Sequence, residues 1–249
     1  MRPLRPATAV LTVDAVRRLE ADAMAQLPDG ALMQRAATAL AVEAGAMLRE
    51  ITGRVTGSRV VLLVGGGNNG GDALYAGARL AARGARVDAL LVSDRIHAPG
   101  AAALTHAGGH LRDAVLGDLR AAELVARADL VLDGILGIGG RGGLREPAAW
   151  LAMVARETDV AVLAVDLPSG VDADTGVVAD ADAVGEPGEM GGLEAGHVAA
   201  QEGDAAPGLR FVEDDDVRVA RSRVGRPLPR SVRRPCGGAP RGRAAEPKR

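Results

Sequence analysis

Residues 60–73, VVLLVGGGNNGGDA, constrain the fold more than any other stretch of the chain. Val60, Val61, Leu62, Leu63 and Val64 form an apolar run of strand length without polar alternation, the pattern of a strand buried on both faces. The run stops at Gly65, Gly66 and Gly67, where a backbone without Cβ atoms can turn sharply and lie close to a ligand. Asn68, Asn69, Gly70, Gly71 and Asp72 follow, and an Ala/Leu-rich pattern predicts a helix from Ala73 to Arg83. Strand, glycine turn and helix start together make an anion site, because unpaired N–H groups converge at the positive end of the helix dipole. Asp72 does not belong in a phosphate cradle. Its carboxylate suits a ribose hydroxyl, a helix cap or a bound cation. A plain strand-to-helix turn also accounts for the glycines, and the adjacent Asn pair favours a site over that reading.

The remaining pattern predicts an alternation of helices and strands. Thr12 caps a helix running to Gln26, with Val16, Leu19, Ala23 and Leu27 on one face, and a second helix spans Ala31 to Glu50. Within it the polar Gln34, Arg35 and Glu43 read as solvated rather than as lining a site. Further strands are expected at Val87 to Val92, Asp129 to Asp133 and Val160 to Val165. The intervening helices are Ala98 to Ala107, Leu119 to Arg127 and Glu146 to Glu157. Strands alternating with helices indicate βαβ units and a doubly wound, mostly parallel sheet. Ligands of such sheets bind past the carboxyl ends of the strands. Three successive strand ends carry Asp72, Asp133 and Asp166, each beside glycines. Singly, each is a turn or cap residue; three on one sheet edge point to a site.

Composition narrows the functional classes. Phe211, Tyr75 and Trp150 are the only aromatics, so base stacking has little to work with. A formal net charge of −2 gives no general field for nucleic acid. One cysteine, Cys236, allows no internal disulfide, and no apolar run reaches the roughly 20 residues of a membrane helix. The expectation is a cytoplasmic protein with no membrane partner. The phosphotransferase reading lacks support, since no G-x-x-x-x-G-K-[ST] occurs and Lys248 is the only lysine.

Three motifs in order resemble the NAD(P)H-hydrate epimerase family, the YjeF N-terminal domain. They are NNGGD at Asn68 to Asp72, D-x-x-x-G-x-G-x-x-G from Asp133 to Gly142, and DLPSGVD at Asp166 to Asp172. LMQRAA, from Leu32 to Ala37, resembles that family's N-terminal helix. The resemblance covers residues 10–182 and implies a three-layer α/β/α Rossmann-like sandwich, commonly dimeric. It implies an isomerase that interconverts the R and S epimers of hydrated NADH or NADPH, with one K+ per subunit. An ADP- or ATP-dependent NAD(P)H-hydrate dehydratase would be its functional partner. Carried over by motif, Asn68, Asn69, Gly70, Gly71 and Asp72 bind substrate. Gly137, Ile138, Gly139, Gly140, Arg141, Gly142 and Gly143 bind the phosphates through backbone N–H groups. Asn69, Asp133 and Ser169 hold the potassium, an ion that takes oxygen ligands. Asp166 lies at the hydrated ring and is the candidate proton carrier, since either hydroxyl loss or ring opening needs one within hydrogen-bond reach.

The chain departs from the family twice. Ala73 stands where a glycine is usual, and after Ala183 the expected strands give way to biased sequence. Residues 186–217 hold nine acidic residues against one basic, and residues 218–249 eleven basic against one acidic. Such segments bury too little apolar surface to offset their ordering entropy. The domain is therefore read as residues 1–184, with a low-complexity, disordered tail from 185 to 249. A natural tail and a reading-frame change both explain it. If the final strands are lost, the alternative is a dinucleotide-binding protein of the same fold without turnover.

Overall fold

The computed structural model describes residues 11–178 and the backbone of residues 210–214 and 217–222. The elements run α1 (Val13–Gln26), α2 (Ala31–Thr52), β1 (Arg59–Val64), α3 (Asn68–Ala82), β2 (Arg86–Leu91), α4 (Ala98–His106) and β3 (His110–Asp113). Then come α5 (Leu119–Ala126), β4 (Leu130–Gly134), α6 (Ala148–Glu157), β5 (Val162–Val165), β6 (Arg210–Asp214) and β7 (Val217–Ser222). They build one seven-stranded sheet in the order β3-β2-β1-β4-β5-β7-β6, whose first five strands are parallel. The order reverses between β1 and β4, which is where a doubly wound sheet opens a crevice.

Alternating residues of the central strand feed two cores. Val60, Leu62 and Val64 pack with Leu40, Leu48, Leu74, Leu80 and Leu104 from α2, α3 and α4. Val61 and Leu63 pack on the other face with Val125, Leu151 and Ala155 from α5 and α6. The expected three-layer α/β/α architecture is present. Gly77 lets α3 approach this sheet, since a Cβ there would stand 2.5 Å from a Leu62 methyl.

Four expectations need correction. β3, with the sequence HLRD, is absent from the sequence reading because a four-residue, mostly polar edge strand leaves no hydrophobic pattern. α3 begins at Asn68, not Ala73, so NNGG is the first turn of the helix. α1 does not bury its expected face: Leu19 is 56% exposed, and Val13 is the helix's one buried side chain. The tail assignment is corrected at β6 and β7. β7 runs antiparallel to β5 and β6 antiparallel to β7, extending the same sheet. Their sequences, RFVED and VRVARS, mix apolar and charged residues as outer strands do, and the charge bias of the segment masked that pattern. The rest of the segment called a tail lies outside the described residues.

Candidate functional site

β1, β4 and β5 end side by side, and the three segments that leave them meet within van der Waals distance. Val64 pairs with Gly134, and Asp133 with Ala164. The Gly65 N–H donates to the Gly134 carbonyl at 3.1 Å. A Cβ on Gly65 would overlap the carbonyl oxygen of Ile135, and one on Gly70 would overlap that of Gly65. At Gly137 a Cβ would lie 2.5 Å from Asp166 Oδ2 and 3.4 Å from the Asn69 carboxamide. None of Gly65, Gly66, Gly67, Gly70 or Gly71 has a positive φ. Gly65, Gly66, Gly70 and Gly71 serve close approach, not turning, whereas a Cβ on Gly67 would meet open space. Gly65→Ala should therefore destabilise the fold by about 1–3 kcal/mol, the usual cost of overpacking. A urea midpoint equal to that of the unsubstituted chain would show that this junction yields.

The junction opens into a cavity of about 750 Å³ lined by residues of α1, α2, the start of α3 and residues 135–140, with Asp166 at the end of β5. A second cavity of about 340 Å³ shares Leu136, Gly137 and Gly140 with it and continues to Asp172 and Thr175. Both volumes lie in the range of small-molecule sites. Of the expected site residues, Asn68, Asn69, Asp72, Gly137, Ile138, Gly139, Gly140 and Asp166 line the larger cavity. Gly142 lines the smaller. Gly70 and Gly71 lie beneath, where Gly71 leaves room for His97 and Met33 at 3.0 Å. Arg141 and Gly143 are exposed.

Asp166 is held in an unusual geometry. Its φ of 75° places a non-glycine residue in the left-handed region, a conformation that tends to cluster at functional sites. Its Oδ2 accepts the Ile138 N–H at 2.7 Å, which fixes the carboxylate between β5 and the second glycine loop. That loop also closes on itself, the Gly140 N–H donating to the Gly137 carbonyl at 2.8 Å.

Asp133 is the structural centre of the junction. Its Oδ1 accepts the Ser169 hydroxyl at 2.6 Å and the Ile135 N–H at 3.3 Å, and its Oδ2 accepts the Ser169 N–H at 2.9 Å. The Ser169 hydroxyl oxygen in turn accepts the Leu136 N–H at 2.9 Å. Burial pushes the Asp133 carboxyl above its ordinary range while these hydrogen bonds pull it down.

Asp72 sits in the second turn of α3, not at its cap. Burial first, then the charges of Asp166 and Glu20, raise its carboxyl to about 7, and its Oδ1 is buried without a hydrogen-bond partner. Glu20 itself is shifted upward by burial and by Asp166, with Arg17 opposing. Glu20 and Arg17 line the cavity from α1, and sequence reasoning missed both. Their i, i+3 spacing puts them on one helix face, but a charged face ordinarily signals solvent.

A family model described as YjeF-related protein N-terminus matches residues 29–186. The chain belongs to that family. Among YjeF-related relatives, the bifunctional NAD(P)H-hydrate repair enzyme Nnr of Mycobacterium tuberculosis is 46% identical over 168 residues, 67% of this chain and 34% of that enzyme. The NAD(P)H-hydrate epimerase of Microbacterium testaceum is 42% identical over 205 residues, covering 79% of this chain and 75% of the relative. The chain thus spans about a third of the bifunctional relatives and most of the shorter one. The crystal structure of yeast ynu0 superposes with a TM-score of 0.57 at 19% identity, over 66% of this chain and 72% of that one, and supports the fold alone. The family match begins at residue 29, so α1 lies wholly before it.

Proposed function

We propose that the chain is an NAD(P)H-hydrate epimerase, an isomerase that interconverts the R and S epimers of hydrated NADH and NADPH. The observation that carries the reading is the Asp166 carboxylate, on a left-handed backbone and fixed by the Ile138 N–H where two glycine-lined loops meet in a cavity of ligand size. The similarity to relatives named for this reaction supports it. Epimerisation inverts the carbon that carries the added hydroxyl. In one route the Asp166 carboxyl protonates that hydroxyl, water departs, and water returns to the opposite face while the carboxylate recovers the proton. In the other, the ring opens and recloses by the same proton exchange. Asp72 and Glu20 stand near enough to alter the charge around Asp166, and environments that separate the affinities of neighbouring carboxyls assign acid and base roles. An assay that starts from the pure R epimer of NADH hydrate and follows the S epimer tests the reading; absence of conversion overturns it. The alternative is a dinucleotide-binding protein of the same fold without turnover, and a binding titration beside that assay separates the two.

Potassium belongs to this reading. The residues fit it: a buried Asp133 carboxylate in no ion pair among the described residues, the Ser169 oxygen bonded to it, and a buried Asn69 carboxamide whose nitrogen has no partner. The same carboxamide turned over would present an oxygen. Bound potassium would supply positive charge to this junction and to the phosphates beside it. The expected result is a higher melting temperature in potassium chloride than in tetramethylammonium chloride at equal ionic strength, with the difference lost in Asp133→Ala. Equal melting in both salts would remove potassium from the site. A homodimer, and an ADP- or ATP-dependent dehydratase that consumes the product, complete the proposal. No helix among the described residues is long and apolar enough to cross a membrane.

A further inference from the structure

We infer that α1 is part of the binding machinery and that Arg17 is its phosphate-binding cation, an inference that rests on a dinucleotide being the substrate. The charges lining the main cavity are Glu20, Asp29, Asp72 and Asp166 against Arg17 alone. A ligand carrying a pyrophosphate enters a cleft dominated by carboxylates, and a single guanidinium is there to receive it. Arg17 stands where that group is needed. Its Nη2 would lie 3.5 Å from a Cβ on Gly139, which puts the guanidinium over the second glycine loop.

Two of the loop's donors are already engaged. Its Ile138 N–H is committed to Asp166 and its Gly140 N–H to the Gly137 carbonyl. The donors left free need a partner with charge, and the planar guanidinium matches phosphate oxygens in geometry. Arg17 is in none of the ion pairs of the described residues, Asp88–His110, Asp88–Arg112 and Glu123–Arg127. The nearby Glu20 feels its charge without forming a bond to it.

α1 is held in place by a contact from the far side of the cleft. The Val13 N–H, in the first turn of the helix, donates to Asp174 Oδ1 at 2.8 Å across 161 residues of sequence. A carboxylate at the helix N-terminus also complements the dipole. With Val13 the one buried residue of α1, this bond and the packing on α2 hold Arg17 over the cleft. Asp174 is a positioning residue.

Calorimetric titration of the full chain with ADP-ribose and with nicotinamide riboside tests the assignment. The first carries the pyrophosphate and the second carries no phosphate. Arg17→Ala is expected to weaken ADP-ribose binding by about 10- to 100-fold, the range for one charge-assisted contact. Arg17→Lys should recover part of the loss, and nicotinamide riboside should bind as before. Asp174→Ala should act in the same direction, Asp174→Asn should not, and the Arg17→Ala/Asp174→Ala double variant should bind no worse than Arg17→Ala. ADP-ribose binding within two-fold of the unsubstituted chain in Arg17→Ala, or an equal loss for nicotinamide riboside, would overturn the inference. An unsubstituted chain that binds ADP-ribose through Arg17 yet does not interconvert the hydrate epimers would overturn the epimerase reading and leave this one standing. Epimerisation with an unchanged KM in Arg17→Ala would do the reverse.

Discussion

Asp166→Asn will lower epimerase turnover by about 10²- to 10⁴-fold, the usual loss when a general acid/base is removed. The substitution keeps the shape of the side chain and an oxygen that can accept the Ile138 N–H, now 2.7 Å from Oδ2. What it removes is the capacity to give up and recover a proton. The left-handed backbone at residue 166, with φ of 75°, also suits Asn, which tolerates that region at least as well as Asp. Folding should therefore be preserved, and binding of the substrate should change by no more than a few-fold. Removing one carboxylate from beside Asp72 and Glu20 will also lower the proton affinity of both, since the charge of Asp166 raises each. That secondary shift supplies an internal control: it appears in a titration of the variant whether or not turnover is measured. Turnover of Asp166→Asn within ten-fold of the unsubstituted chain would show that the proton carrier is another group.

Much of this site is legible in the amino-acid sequence, because its chemistry sits at strand ends and the strands are strongly apolar. β1, β4 and β5 are read from uninterrupted runs, and topology alone then brings Asn69, Asp133 and Asp166 to one edge. The roles of the glycines are less legible. Sequence shows that a Cβ is absent but not whether the reason is torsion or crowding, and here Gly65 and Gly70 answer to crowding. The start of α3 is misplaced in the sequence reading for the same reason. Glycine is a poor helix residue by propensity, yet the close approach of Gly70 to Gly65 and of Gly71 to His97 overrides that preference. Arg17 and Glu20 are invisible in sequence because their significance depends on where α1 lies. That position depends on packing against α2 and on a bond to Asp174, a contact between residues at opposite ends of the domain. No local pattern encodes it.

Asp72→Asn is expected to stabilise the unliganded chain above neutral pH, although it replaces a residue of the site. Burial and the charges of Asp166 and Glu20 hold the folded-state carboxyl at about 7 against an ordinary 3.8. In the folded state the group therefore keeps its proton through a pH interval in which the unfolded chain has already released it. Stability is accordingly greatest below about 4, declines as pH rises towards 7, and above 7 carries the full cost of the buried charge. At about 1.4 kcal/mol for each tenfold change in proton affinity, that cost reaches about 4 kcal/mol as an upper bound, since water enters the cleft. Asn carries no charge at any of these pH values. The variant should match the unsubstituted chain near pH 4 and exceed it by a few kcal/mol at pH 8, with a flatter profile between. Denaturant midpoints at pH 4, 6 and 8 measure this directly, in a buffer without potassium so that no bound cation offsets the charge. A difference between the two proteins that stays constant from pH 4 to pH 8 would mean that Asp72 is ionised throughout.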